Sequence, residues 1–265
     1  MGNMTNFKLK TIAFGAVLLM GGFNVCQFAA LGQDLPAGWG RTGKPSSQPG
    51  GPRFAEPAQD IDRPPNRDPR PTRGGCQSNQ QQLSFTALVP SNKTGRTVSD
   101  YPTFFFYLPP TEAESAEFTL LDPSGKQIYQ QTLTIKNVSG VIGVSIPANS
   151  NVPPLVAGKK YTWNFTLICN PADRAGDLFS IGTVERVEIS ADIRSQLEQA
   201  DAREKIFIYA KNGIWLDALS NLAAARRTFP TNEGIQADWE SLLGSVKLSE
   251  IATSPIVQIE TEPKP

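Results

Sequence analysis

Histidine is absent from all 265 residues. That excludes Ser-His-Asp and Cys-His nucleophile systems, His-ligated zinc and the imidazole proton shuttle that works near neutral pH. Catalysis would have to rest on carboxylates, Lys, Tyr or a metal bound through oxygen, so the chain reads as a non-enzyme. An excess of either charge is missing as well: Lys+Arg and Asp+Glu number 25 each, with a pI near 6.4. Without a broad basic footprint no nucleic-acid partner is expected. Cysteine is scarce, with three in the chain and no CxxC pair. Neither a redox motif nor a zinc ribbon is supported, and no cofactor is expected.

Long apolar runs are confined to the N-terminus. Lys8 and Lys10 precede Thr11 to Gly22, TIAFGAVLLMGG, an apolar core of secretory-signal length that is short for a bilayer span. Residues 1–32 are therefore expected to be a signal peptide. Ala30 and Gly32 suit a cut before Gln33; left uncut, the same segment would tether the protein. The localisation that follows is secreted or periplasmic, with no stable membrane span after cleavage. Export also sets the cysteine arithmetic. If Cys26 leaves with the signal, Cys76 and Cys169 remain, and two cysteines in an oxidising compartment most often pair. The alternative is two free thiols, one of them buried.

Residues 33–73 are rich in Pro, Gly and Arg, as in DIDRPPNRDPRPTRGG, and almost devoid of aliphatic side chains. Such a stretch cannot build a core and is expected to be a disordered, extended linker. From Gly74 the pattern changes to short strands. Leu83 to Val89 alternates, Thr103 to Leu108 is apolar on both faces, and Ala116 to Leu121 leads through the turn Asp122-Pro123-Ser124-Gly125 into Lys126 to Ile135. Val141 to Ile146, Tyr161 to Cys169 and Phe179 to Ile189 complete about seven strands. With no helical period between them, residues 74–190 are expected to form an antiparallel immunoglobulin-like β-sandwich.

At Ser190 the period becomes about 3.6. Four helices are expected over residues 191–252: one capped by Ser190 or Asp192 and running to Ala200, one starting at Asp201 and ending at Asn212-Gly213, one from Ile214 to Phe229, and one from Asn232 to Val246. Tyr209, Gly213, Trp215, Ala218, Leu222, Ala225 and Pro230 fall at the offsets of a tetratricopeptide-like hairpin, although Ala202 and Ile206 replace its early Trp and Gly. The fold class is thus α+β, a sandwich followed by a helical hairpin bundle packed on it. Residues 253–265, with three prolines, are expected to be a flexible tail.

Few residues suggest chemistry. Asn170, Asp173, Arg174 and Asp177 offer oxygens in one loop, but their spacing does not match an EF-hand and is equally explained by turn-making and an ion pair. Glu112, Glu114 and Glu117 read as a solvated loop and strand edge. Tyr161, Trp163 and Phe165 share one strand face with Leu167, as core aromatics do. In Tyr101 to Pro110, by contrast, Phe104 and Phe106 point one way and Phe105 and Tyr107 the other. A two-sheet core uses one of those sides. Either the helices, through Trp215, cover the second, or Tyr101, Phe105, Tyr107 and Trp215 mark an interaction surface.

Five segments in order, PTRGGC at 71–76, TALVP at 86–90, YPTFFFY at 101–107, LICNP at 167–171 and YAKNGIW at 209–215, resemble the signature segments of a domain-of-unknown-function family found in exported cyanobacterial proteins. The resemblance covers roughly Arg73 to Ile251. It implies a bacterial envelope or extracellular setting and supplies no catalytic residue. The expectation is an exported, non-enzymatic binding or interaction module with an envelope or extracellular protein as partner. A carboxylate-based hydrolase of envelope glycans and a structural envelope component are the alternatives.

Overall fold

The aromatic run at Thr103–Leu108 becomes a central strand because neither of its faces tolerates water. The structure, a computed structural model, describes Leu35, Gly38, Trp39, residues 50–57, Cys76, residues 84–148 and residues 151–259. The expected signal peptide and most of the expected linker lie outside the described residues. The described residues form an α+β fold of two mostly antiparallel sheets and four C-terminal helices. The strands are β1 (Thr86–Ala87), β2 (Thr94–Thr97), β3 (Thr103–Leu108), β4 (Ser115–Leu121), β5 (Gln127–Thr134), β6 (Gly140–Ser145), β7 (Lys160–Ile168), β8 (Leu178–Arg186) and β9 (Ile256–Val257). One sheet has the order β1-β3-β6-β9 and the other β2-β8-β7-β4-β5.

The sheets meet through aromatic rings. Alternation sends Phe104 and Phe106 from β3 toward the second sheet, where Phe104 lies 4.9 Å from Phe118 and Phe106 lies 4.1 Å from Phe165, centroid to centroid. Phe118 and Phe165 are themselves cross-strand partners on β4 and β7. Tyr161, Trp163, Phe165 and Leu167 are all buried, so the clean period of two along β7 is a core face. At the far end of β7, Cys169 is bonded to Cys76, joining positions 93 residues apart.

Two strands had no signal in the sequence, and the count of seven rises to nine among the described residues. β2 reads Thr-Gly-Arg-Thr, and its inward positions are Gly95 and Thr97, so there is no apolar alternation to detect. It pairs with β8 in parallel, as β9 does with β6, which corrects the expectation of a purely antiparallel arrangement. β9 also corrects the expectation of a flexible tail for residues 253–259. The Val141 N–H donates to the Pro255 carbonyl at 2.8 Å, and Ile256 and Val257 continue the pairing. In the opposite direction, the strand expected over Leu83 to Val89 shrinks to Thr86–Ala87.

The helices are α1 (Ala191–Gln199), α2 (Ala202–Lys211), α3 (Trp215–Thr228) and α4 (Glu233–Gly244). Their ends follow local chemistry. Ser190, Asp201 and Asn232 cap α1, α2 and α4, and Asp201 with Glu204 completes a reciprocal capping box. α2 stops in a Schellman geometry: Gly213 N–H donates to Ala210 O and Ile214 N–H to Tyr209 O, with Gly213 at φ 72°. α3 runs against β2, β3 and β9.

Within the stretch expected to be a disordered linker, residues 50–57 lie instead across the helices. Phe54 packs edge-on to Trp215 at 5.1 Å, Phe54 N–H donates to Ser245 Oγ, and Ala55 N–H donates to Ala210 O. A side chain on Gly213 would bring Cβ within 2.8 Å of Pro57, so this glycine serves both the turn and the close passage of the strap. Further back, Trp39 donates its indole N–H to Asp238 at 2.7 Å.

Candidate functional site

The residues singled out as an interaction surface are mostly interior. Phe105 and Tyr107 are buried, and so is Trp215, whose indole N–H donates to Leu88 O at 2.8 Å. Tyr101 is half-buried, with its hydroxyl donating to Val152 O. The four therefore form no exposed aromatic patch. Both faces of β3 are buried, and α3 makes contact with that strand as well as with β2, which answers the question its sequence raised. Among the described residues Val156 is the one large hydrophobic side chain that is exposed.

The carboxylates offered for chemistry have structural work. Asp177 accepts from Cys169 N–H and pairs with Arg174, Asp173 caps a 3-10 turn at Arg174–Gly176, and Asn170 accepts from Ala172 N–H. That loop consumes its own polar groups. Glu114 pairs with Lys136 just outside β4 and β5, and Glu117, on the inner strand β4, accepts from Gln130 on the edge strand β5. Glu112 is exposed. Asp238 is buried and takes two hydrogen bonds from Arg203, at 2.7 and 2.8 Å, in addition to that from Trp39. The pair raises the guanidinium pKa of Arg203, chiefly through the hydrogen bond to Asp238.

Asp217 differs from these. It sits in the first turn of α3 and accepts from Val98 N–H at 3.1 Å and from the Thr97 hydroxyl, linking α3 to the end of β2. Burial against β2 outweighs those hydrogen bonds and pushes its carboxyl pKa up. The side chain is turned into the helix–sheet contact, where it also explains the fully buried Thr97.

Two arginines line a groove at the other end of α3. This groove of about 550 Å³ is lined by Arg226, Arg227, Pro230, Thr253, Pro255 and Gln258, with Ile256 contributing apolar surface. No carboxylate lines it. Arg226 is half-buried and fixed from two sides: its guanidinium lies 5.2 Å from the centroid of the Trp239 ring, and Nη1 donates to Ser254 O at 3.0 Å. Burial lowers its pKa, and the charge of Glu240 opposes that shift. Arg227 is exposed. Among the described residues neither arginine is in an ion pair. A guanidinium carries five N–H donors in a planar fork, so this site is equipped to take an oxyanion.

The sequence reading missed this groove. Its one local signal was the Arg226-Arg227 pair at the end of a helix, which is also how a helix answers its own dipole. The other wall comes from the residues read as a tail.

Among the described residues no helix is long and apolar enough to cross a membrane. No curated protein matches this chain. A family model matches residues 68–256, well over half of the sequence, and the chain belongs to the family it defines, Domain of Unknown Function (DUF928).

Proposed function

We propose that this protein is an exported, non-enzymatic binding module of the bacterial envelope or extracellular space, and that the Arg226–Arg227 groove is its binding site. The observation that carries the reading is the contrast in charge. The buried or paired carboxylates are committed to the fold, whereas Arg226 and Arg227 line an open groove that has no carboxylate among its lining residues, Arg226 feeling the charge of Glu240 but forming no ion pair with it. The carboxyl with a raised pKa, Asp217, is directed into the α3–β2 contact and does not line the groove, which favours binding over acid catalysis. The bonded pair Cys76–Cys169 suits an oxidising compartment, in keeping with the secretory pattern of the first 32 residues.

In this reading the two sheets form an immunoglobulin-like sandwich, supported by the ring contacts between β3 and the facing strands. The helices form a tetratricopeptide-like hairpin, supported by buried Ala210, Ala218 and Ala225 on α2 and α3. The test is in the producing cell. A photo-crosslinking side chain placed at Arg227 is expected to capture a defined envelope component, while the same probe at Gln130, on the exposed β5 edge, captures none. No product from Arg227, or equal labelling from both positions, overturns the proposal.

A further inference from the structure

The groove's walls narrow what it binds, and we infer that its ligand is an acidic sugar unit, a hydroxylated ring carrying a carboxylate or a sulfate. This rests on the reading of the groove as a binding site and adds its ligand class. Arg226 is held in place by the Trp239 ring and by Ser254 O, so its remaining N–H groups are presented without the entropy loss of a free surface arginine. Arg227 follows it at the exposed rim. Both guanidinium groups line the groove, and carboxylate and sulfate each match the donor fork of a guanidinium.

A lone inorganic ion would use only part of the site. The volume, about 550 Å³, lies in the range of small-molecule clefts. Pro230 and Pro255 offer rigid apolar faces for the C–H side of a ring, and Thr253 and Gln258 offer a hydroxyl and an amide, each able to donate and to accept, for ring hydroxyls. A lipid headgroup fits less well. An acyl chain needs extended apolar surface beside the anion site, and among the described residues only Ile256 and the two prolines give the groove apolar lining. A polynucleotide is disfavoured by the balanced charge of the chain, 25 cations against 25 anions.

The purified exported chain would be titrated calorimetrically with four probes: a hexuronate trisaccharide, a sulfated hexose trisaccharide, the neutral hexose trisaccharide and triglutamate. Binding is expected for at least one of the two acidic sugars, and which of them binds identifies the anion. Arg227→Gln should weaken that binding by roughly tenfold or more, Arg227→Lys by less, and raising salt should weaken it in the native chain more than in Arg227→Gln. Arg227 is exposed, so both variants should keep the native melting temperature. Equal affinity for the neutral trisaccharide or for triglutamate overturns the ligand class. So does acidic-sugar binding that Arg227→Gln leaves unchanged. If no acidic sugar binds while the Arg227 crosslink still forms in cells, the ligand class fails and the binding reading stands; if the crosslink is also absent, both fail.

Discussion

Asp217 shows how a single side chain can both join two elements and load their junction. Its carboxylate satisfies Val98 N–H and the Thr97 hydroxyl, yet burial raises its pKa above the unfolded value of 3.8. The folded state therefore holds the proton more tightly than the unfolded state. The stabilisation is complete below the unfolded pKa and is lost as pH rises through the folded one. Asp217→Asn keeps an acceptor for Val98 and removes the titration. Its melting temperature is expected to fall below or match that of the native chain in acid and to gain on it as pH rises from about 3.8 toward neutrality. A series of thermal melts across that range checks this, and a difference independent of pH would contradict it. Asp217→Ala should instead cost about 1–3 kcal/mol at neutral pH, because a backbone N–H loses its partner inside a contact.

Elements in this protein are held by pieces that do not resemble elements. The strap at residues 50–57 has no helical or strand pairing, but Phe54 meets Trp215, and Ala55 adds a donor at the C-terminal end of α2. Phe54→Ala should remove about 1–3 kcal/mol of local contact energy. The expected readout is faster hydrogen exchange at the Ala55 amide and early proteolysis within the strap, ahead of any loss of the β3 and β7 amides. Simultaneous loss of protection everywhere would show that the strap is part of the global core. The same principle places β2 and β9. Each is a short strand added in parallel to an edge of a sheet, and β2 leaves room for α3 by carrying Gly95, where a Cβ would stand 3.0 Å from Leu216.

At the scale of the molecule, the described residues belong to one compact unit spanning Leu35–Pro265. Sheets and helices share a buried cluster that includes Phe106, Phe165, Trp215 and Trp239. A single cooperative transition is expected, with helical and aromatic probes melting together. The Cys76–Cys169 bridge acts on that transition from the far end. It joins residues 93 apart, and on the chain-entropy model a loop of that size is worth about 4–5 kcal/mol. Replacing both cysteines with serine should lower the unfolding free energy by up to that amount in a denaturant titration. Two free thiols in the exported protein would contradict the bridge.

Local pattern carried much of this structure. The period of two along Tyr161 to Leu167, the Asp122 to Gly125 turn, the Ser190 and Asp201 caps and the stop at Gly213 were legible because each depends on residues a few positions apart. The aromatic run of β3 also announced that both its faces needed cover. What the sequence could not decide was what lay against them. The burial of Phe105 and Tyr107, the docking of Phe54 on Trp215, the parallel edges β2 and β9 and the groove between Arg226 and Pro255 all join segments far apart in the chain. A glycine, a lone phenylalanine or a pair of arginines has no period of its own. Its role was set by the surface that folding brought to it.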